Sequence, residues 1–241
     1  MIKIDQIVPV IQNLKKEYSQ LFNNAVGSFI SEIIDPDNFD EILTDINSNE
    51  ILNQIDSELA NSLFCCATEF FLSNEYPHRI TKKHWNCIDH LLKTQEGSFN
   101  DLERKYLLGL RDSYMNLYQV KAIQNGKIIT VSNMIESKQQ PIIVQDVLGS
   151  QNMDIGNIIG CRIVKVDQDY LLSSVCLTLT DEAAAGAVKM IKQISKMALT
   201  KDNLRLYSKH YKDPELMLKK MWAKEITEQW FLCNNKTYML N

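Results

Sequence analysis

The chain has 241 residues and a mass of 27.8 kDa, enough for one large domain or two small ones. A chain of this length can bury a hydrophobic core without disulfides or metal. Apolar residues make up 45% of the sequence and charged residues 23%, which excludes a chain that is disordered or coiled coil throughout. No apolar run approaches the ~18 residues of a membrane-spanning helix, and the N-terminus lacks a secretory cleavage site. We therefore expect a cytoplasmic protein, and the bias towards Ile and Asn favours a bacterial source.

The cysteines follow neither a zinc-binding nor a disulfide pattern. None belongs to a C-x-x-C pair and their spacing is irregular, so we expect reduced thiols. The six positions are Cys65, Cys66, Cys87, Cys161, Cys176 and Cys233.

Charge is divided unevenly along the chain. Residues 1–115 carry 10 basic and 18 acidic side chains, a net charge of −8, whereas residues 116–241 carry 16 basic and 12 acidic ones, a net charge of +4. Such a division indicates an interaction surface, or two halves that attract each other.

The first block of the sequence predicts helices. Ile51, Leu59, Leu63 and Ala67 belong to a row at four-residue intervals, which predicts a long buried helix running to Phe71. The break at Tyr76-Pro77 ends it, and Thr81 is the predicted cap of a further helix through Trp85. Ser98 to Asp101 has the form of an N-cap that opens another helix. Earlier short helices are predicted around residues 7–18 and 42–46.

The period of the apolar residues changes near residue 116 and predicts five strands. Asn125-Gly126 separates the first two and is a strong hairpin signal, because both turn residues must accept positive φ. Short turns between strands exclude a parallel sheet, which needs long crossovers. We therefore predict an antiparallel meander or small barrel. The strands are LYQVKAIQ (117–124), KIITV (127–131), PIIVQDV (141–147), NIIGCRIVKV (157–166) and YLLSSVCLTL (170–179).

Helices resume after Thr180. Asp213-Pro214 predicts the start of the last one, on which Trp222, Ile226 and Trp230 share one face at four-residue intervals. The predicted fold class is α+β, with strands confined to about 116–180. The predicted units are an acidic helical domain over 1–115, an antiparallel β-barrel-like module over 116–180 and C-terminal helices over 181–241 that pack on it.

Few residues have the spacing of known chemistry. His84, Cys87 and His90 lie three apart, but zinc needs four ligands, and we expect core cysteines and surface histidines instead. Ser173-Ser174 lacks the G-x-S-x-G elbow of a nucleophile. Neither a G-x-G-x-x-G nor a G-x-x-x-x-G-K loop occurs. We predict no catalytic residue, no metal and no cofactor.

A basic stretch between residues 186 and 212 is the one positive signal. It holds seven basic residues and one acid, and its charges recur at helical spacing. The pattern fits a solvated face, a nucleic-acid interface, or a surface that contacts acidic protein, including the acidic segment at residues 32–58. The candidate partner-binding residues are Lys189, Lys192, Lys196, Lys201, Arg205, Lys209, Lys212, Tyr207 and Tyr211.

Residues 106–232 resemble a barrel-like module of uncharacterised bacterial proteins, some of which end in a SEC-C zinc motif. The resemblance lies in the segments YLLGLRDSYMNLYQVKAIQNGKIITVSNMI and IIVQDVLGSQNMDIGNIIGCRIVKVDQDYLLSS and in the tail DPELMLKKMWAKEITEQWF. Its markers are Gly126, Gly156 and Arg162. After Trp230 this chain has one cysteine and no histidine, so the zinc motif is absent. The resemblance implies no function.

The sequence favours a non-enzymatic protein-binding or adaptor module with an unidentified protein partner. Nucleic-acid binding through the basic stretch is the alternative, although only Tyr118 and Tyr170 offer aromatic rings on strands for stacking. An enzyme without a recognisable motif is the third possibility. The oligomeric state is left open.

Overall fold

The protein is described by a computed structural model that covers residues 19–33, 57–77, 84–94, 97–198, 200, 203–204, 208, 211 and 213–239. The short helices predicted before residue 19 and around 42–46 lie outside these residues, as does the predicted cap at Thr81.

Helices flank a central run of strands in the order of the chain. The helices are α1 (Ser19–Ile33), α2 (Ser57–Ser73), α3 (Cys87–Thr94), α4 (Asp101–Asp112), α5 (Val147–Asn152), α6 (Asp181–Ala198), α7 (Pro214–Lys220) and α8 (Trp222–Met239). The strands are β1 (Glu75–Pro77), β2 (His84–Asn86), β3 (Met115–Gln124), β4 (Ile128–Asn133), β5 (Ile142–Gln145), β6 (Ile158–Val166) and β7 (Asp169–Leu179). The described residues thus have the mixed α and β composition that the sequence predicts.

Side-chain caps explain where several helices begin. The Asn100 carboxamide accepts from the Glu103 amide, and the Glu103 carboxylate accepts from the Asn100 amide at 2.9 Å, which forms a capping box for α4. Asp213 caps α7 by accepting from the amide of Leu216, with Pro214 in the first turn. The predicted final helix is interrupted at Met221, so that α7 and α8 are separate.

Five strands form one sheet in the order β3–β4–β5–β7–β6, and β6 also pairs with β3. When five strands follow one another in a closed order, neighbouring strands cannot all run antiparallel. The β5–β7 pair is accordingly parallel, with the single register Gln145–Leu171, while the other four pairs are antiparallel. The sheet is therefore mixed, and the prediction of a purely antiparallel meander is wrong at this seam. The seam consists of a single pair of residues, so the sheet is rolled and mixed but is not a regularly closed barrel.

The prediction that strands are confined to about 116–180 is also wrong. Glu75 pairs with Asn86 and Pro77 with His84, so that β1 and β2 form a two-stranded sheet within the helical region. Trp85 lies on β2, and the helix predicted to carry it begins only at Cys87. The carboxamide of Asn86 fixes this start, because its oxygen accepts from the amide of Ile88 at 2.8 Å.

The predicted hairpin at Asn125-Gly126 is present. Gly126 has φ +71° between β3 and β4, which pair antiparallel. Asn125 does not have positive φ, so the expectation of positive φ at both turn residues is wrong for Asn125, and the loop spans the three residues 125–127. The chain also turns at Asp167, with φ 54°, between β6 and β7. Asp167 and Asp169 both lie at this turn. Asp167 forms an ion pair with Lys105, and the Asp169 carboxylate accepts a hydrogen bond from the Gln145 side chain.

One large core joins the helices to the outer face of the sheet, and a smaller one lies inside the roll. The large core takes side chains from α1 to α4, from β3, β6 and β7, and from α6 and α8. The small core is built from Tyr118, Val120, Ile129, Val131, Val144, Ile159 and Cys161. The division of the chain at residues 115 and 180 stays a prediction.

Helix α8 is a packing element, as the four-residue spacing predicts. Trp222, Ile226 and Trp230 are all buried, and the Trp222 ring meets Tyr114 edge-on with 5.5 Å between centroids. Gly160 on β6 allows the close approach, since a Cβ there would lie 2.6 Å from the Ile226 side chain.

Candidate functional site

Three of the predicted partner-binding lysines lie on the exposed face of α6. Lys189, Lys192 and Lys196 are all exposed, with spacings of three and four residues that keep them on one side of the helix. Met190 and Met197, 40% and 74% exposed, lie beside them. We call these five side chains the α6 face.

The opposite side of α6 explains why this face is solvent-exposed. Ala183, Ala184, Ala187 and Ile191 are buried, and α6 packs mainly against α8 and also against β7. Gly186 brings the two helices close, because a Cβ there would lie 2.6 Å from the Gln229 side-chain oxygen. Small side chains on the buried side therefore leave every long cation of α6 pointing outward.

The α6 face carries positive charge that no acid of the described residues neutralises in an ion pair. Among the described residues, the three lysines form no ion pair with any acid. The acids of α6, Asp181 and Glu182, lie in its first turn, where the helix dipole stabilises negative charge. The face is accordingly a cationic surface with two exposed thioethers.

Of the candidate partner-binding residues beyond α6, the structure describes only Tyr211. Its ring is half-buried and stacks on His84 of β2, with 4.5 Å between centroids. The structure thus places Tyr211 against β2. The other predicted residues, Lys201, Arg205, Tyr207, Lys209 and Lys212, lie outside the described residues.

His84, Cys87 and His90, which the sequence analysis considered as zinc ligands, are buried or half-buried. Cys87 is buried, and its thiol donates to the carbonyl of Leu72 at 3.7 Å. His90 packs against Trp85 at 5.8 Å between centroids. In the part of the chain that the structure describes, no group of three or more His, Cys, Asp or Glu side chains could hold a metal ion.

A buried charged pair, which the sequence analysis did not identify as a site, joins the helical region to the sheet. Arg162 on β6 is fully buried, and its Nε lies 3.4 Å from Oε2 of Glu69 on α2. The Ser174 hydroxyl donates to Oε1 of Glu69 at 2.7 Å, and Nη1 of Arg162 donates to the carbonyl of Ser113 at 3.1 Å. The pair therefore ties α2, β6, β7 and the connection between α4 and β3 together.

An irregularity in the β6–β7 ladder makes room for Arg162. Cys161 pairs with Cys176 and Ile163 with Leu172, so that residues 173–175 on β7 lie opposite Arg162 alone. Bulges of this kind redirect side chains and interrupt regular pairing. Here the bulge accompanies a fully buried guanidinium.

Burial perturbs the ionisation of the groups around this pair. Burial raises the pKa of Glu69 and lowers that of Arg162, while each partner acts in the opposite direction on the other. Lys220 of α7 is also buried and donates to the carbonyl of Ser73; burial, and then the charge of Arg162, lowers its pKa to about 8. The two buried basic groups, Arg162 and Lys220, thus lie close enough for the charge of Arg162 to disfavour the protonated form of Lys220.

Two surface grooves, of about 430 and 480 Å³, lie near the sheet. Glu69, Arg162 and Ser174 line neither of them, whereas Ser113, whose carbonyl accepts from Arg162, lines the first. The first lies between α4 and β6, and the second at the β5–β7 seam.

A sequence signal for the buried pair did exist. Arg162 interrupts the apolar strand IIGCRIVKV, and Glu69 interrupts the apolar end of α2. A charge within each of two buried elements predicts that the two are partners, because an unpaired buried charge is costly. The methionines of the α6 face carry no comparable signal, since a methionine at helical spacing is usually core.

No helix among the described residues has the length and apolarity needed to cross a membrane. Comparison with known families gives a match to a family of unknown function, DUF7986, over residues 78–214. Neither a curated protein nor a solved structure matches the chain. The family match spans more than half of the sequence and includes β2 to β7 and α6, and the chain therefore belongs to the DUF7986 family.

Proposed function

We propose that the protein is a non-enzymatic protein-binding module, and that the α6 face binds a partner segment bearing both carboxylates and apolar side chains. The observation that carries this proposal is the combination of three exposed lysines with two exposed methionines in a neighbouring row of the same helix, about 100° around its axis, with no acid of the described residues paired to the lysines.

The charges support an acidic partner. Lys192 and Lys196 are four residues apart, and like charges at this spacing cost an isolated helix roughly 0.2–0.5 kcal/mol. The helix dipole offsets part of this cost at Lys196, which lies in the last turn. Carboxylates of a partner would neutralise the remaining repulsion and would steer the encounter.

The methionines support a protein partner over a nucleic acid. Met197 exposes 74% of its surface and Met190 40%, and exposed methionines are adaptable apolar contacts at binding surfaces. Such side chains gain little against a phosphate backbone. Tyr211, one of the two tyrosines among the candidate partner-binding residues, packs on His84.

The experiment is a fluorescence anisotropy titration of the full chain with a labelled helical peptide that carries Glu and Leu on one face. We expect binding that weakens with added salt. A charge-reversal variant, Lys189→Glu with Lys192→Glu and Lys196→Glu, should bind about tenfold more weakly or worse, which corresponds to about 1.4 kcal/mol or more.

A matched variant controls for net charge. Lys121→Glu with Lys127→Glu and Lys138→Glu reverses three exposed lysines elsewhere and should leave the affinity within about twofold at moderate salt, since distant exposed charges are screened. A second peptide, with its Leu replaced by Ser, should bind more weakly. Equal losses in both variants, or binding of a single-stranded or duplex oligonucleotide in place of the peptide, would overturn the proposal.

A further inference from the structure

Two cysteines face each other across neighbouring strands of the rolled sheet. Cys161 on β6 is directly opposite Cys176 on β7 in the antiparallel register. Residues opposite each other in such a ladder have Cα atoms about 4.5 or 5.5 Å apart. Both separations lie inside the range of about 4.4–6.8 Å that a disulfide spans, so the backbone needs no rearrangement to join these residues.

The environments of the two thiols differ in a useful way. Cys161 is fully buried in the small core, whereas Cys176 is exposed. Hydrogen bonding to the Cys176 sulfur, and then burial, raises the pKa of the Cys161 thiol well above its ordinary value. One sulfur is thus open to a reagent in solution, while its neighbour is held beside it and shielded from the same reagent.

The other cysteines lack this arrangement. Cys65 is exposed but lies on α2 next to Cys66, which is buried on another side of the helix. Cys87 is buried with its thiol donated to a backbone carbonyl. All six cysteines are free thiols in this structure. Only for Cys161 and Cys176 does the sheet register itself set a disulfide-compatible separation among the described residues.

We propose that Cys161 and Cys176 are a modification site at which a peroxide forms an intrachain disulfide. The exposed Cys176 attacks the peroxide O–O bond, which gives a sulfenic acid on Cys176 and releases one water from hydrogen peroxide. The Cys161 sulfur then attacks the sulfenic sulfur, an S–S bond forms, and the hydroxyl leaves with the thiol proton as a second water. Two thiols and one hydrogen peroxide thus give one disulfide and two waters.

The bond would form at the last regular pair before the bulge that accommodates Arg162. Residues 173–175 lie opposite Arg162 just beyond it. Oxidation would therefore fix the register of β6 against β7 next to the buried charged pair. This site is independent of the α6 face and does not depend on the proposed partner.

The test treats the full chain with hydrogen peroxide, alkylates it in denaturant and maps the cysteines by mass spectrometry of a non-reduced digest. We expect a peptide that links Cys161 to Cys176 and is lighter by two hydrogens than the sum of its parts. The number of thiols titrated in denaturant should fall from the six of the sequence to four. Dithiothreitol should restore all of them.

Single variants separate the steps. Cys161→Ser should stop at a Cys176 sulfenic acid that dimedone traps, and Cys176→Ser should abolish the linked peptide. Cys65→Ser, which removes an exposed thiol elsewhere, should leave the yield of linked peptide unchanged. The proposal is wrong if wild-type Cys176 is oxidised while Cys161 remains fully alkylated, or if Cys176 is recovered only in disulfides between two chains.

Discussion

The guanidinium of Arg162 and the carboxylate of Glu69 lie 3.4 Å apart, and both side chains are buried where α2 meets β6. The residues are 93 positions apart in the sequence, so their contact joins the helical region directly to the sheet. A buried ion pair is weak evidence of net stabilisation, because removing two charges from water offsets their attraction. Removing only one partner is nevertheless strongly destabilising, because it leaves the other charge buried and unpaired.

Breaking the pair should be costly, and replacing it whole should not. Arg162→Met leaves the Glu69 carboxylate buried without its partner, and we expect a loss of about 3–5 kcal/mol in the free energy of unfolding. The double variant Arg162→Met with Glu69→Leu should recover much of that loss. Chemical unfolding of both variants and of wild type measures the difference.

The pH gives this prediction a second readout. Without Arg162 the pKa of Glu69 rises further above its value in the unfolded chain, so the stability contributed by Glu69 is present at low pH and lost as the pH rises. The deficit of Arg162→Met should therefore shrink when the pH is lowered from 7 to 5. Lys105→Met, at an exposed ion pair with Asp167, should barely change the melting temperature. A double variant no better than the single one would contradict this account.

The burial of Lys220 predicts that the free energy of unfolding changes with pH in the alkaline range. Burial lowers the pKa of its ammonium to about 8 in the folded chain, against about 10.4 in an unfolded chain. Between these values the unfolded chain binds more protons, so the stability of the wild type rises with pH relative to a variant that lacks the amine. Relative to Lys220→Met, the wild type should gain about 2.5 kcal/mol from pH 8 to pH 10.4.

The comparison needs urea unfolding of both proteins at each pH, since all other titrating groups are shared. Lys220→Arg, which stays charged throughout this range, should be destabilised at both pH values. A constant difference between wild type and Lys220→Met would show that the amine is not desolvated in the fold.

The final helix offers a test of packing. Trp222 is 4% exposed and lies edge-on to Tyr114, whereas its neighbour Met221 is 40% exposed. Trp222→Ala should cost about 3–5 kcal/mol, because it opens a cavity in the large core. Met221→Ala should change the free energy of unfolding by less than about 0.5 kcal/mol. Equal melting temperatures for Trp222→Ala and wild type would mean that this side of α8 is a surface.

Local signals were the ones that the sequence conveyed correctly. The Asn125-Gly126 hairpin and the Asp213 cap of α7 depend on residues within a few positions of each other. The β1–β2 pair escaped prediction because three residues are too short to show an alternating pattern. The parallel seam at Gln145 and Leu171 follows from the closure of the strand order and has no local signature.

The candidate site divides in the same way. Helical spacing placed Lys189, Lys192 and Lys196 together on one face, since that depends on the helix alone. The exposure of Met190 and Met197 depends on which side of α6 faces α8, and the alanines of α6 determine that side only once α8 is in place. The Arg162–Glu69 pair likewise needs the contact of two distant elements.

The most direct test of the α6 face as a binding surface is a methyl NMR titration of the full chain, labelled with ¹³C at the methyl groups of its nine methionines. On addition of the peptide that carries Glu and Leu, the resonances of Met190 and Met197 should shift, with saturation at the affinity measured by anisotropy. Met115 is fully buried and should not respond, and Met221, which is 40% exposed and lies between α7 and α8, serves as the surface control. The account is contradicted if the Met190 and Met197 resonances do not shift, whether the Met221 resonance shifts instead or no methionine responds.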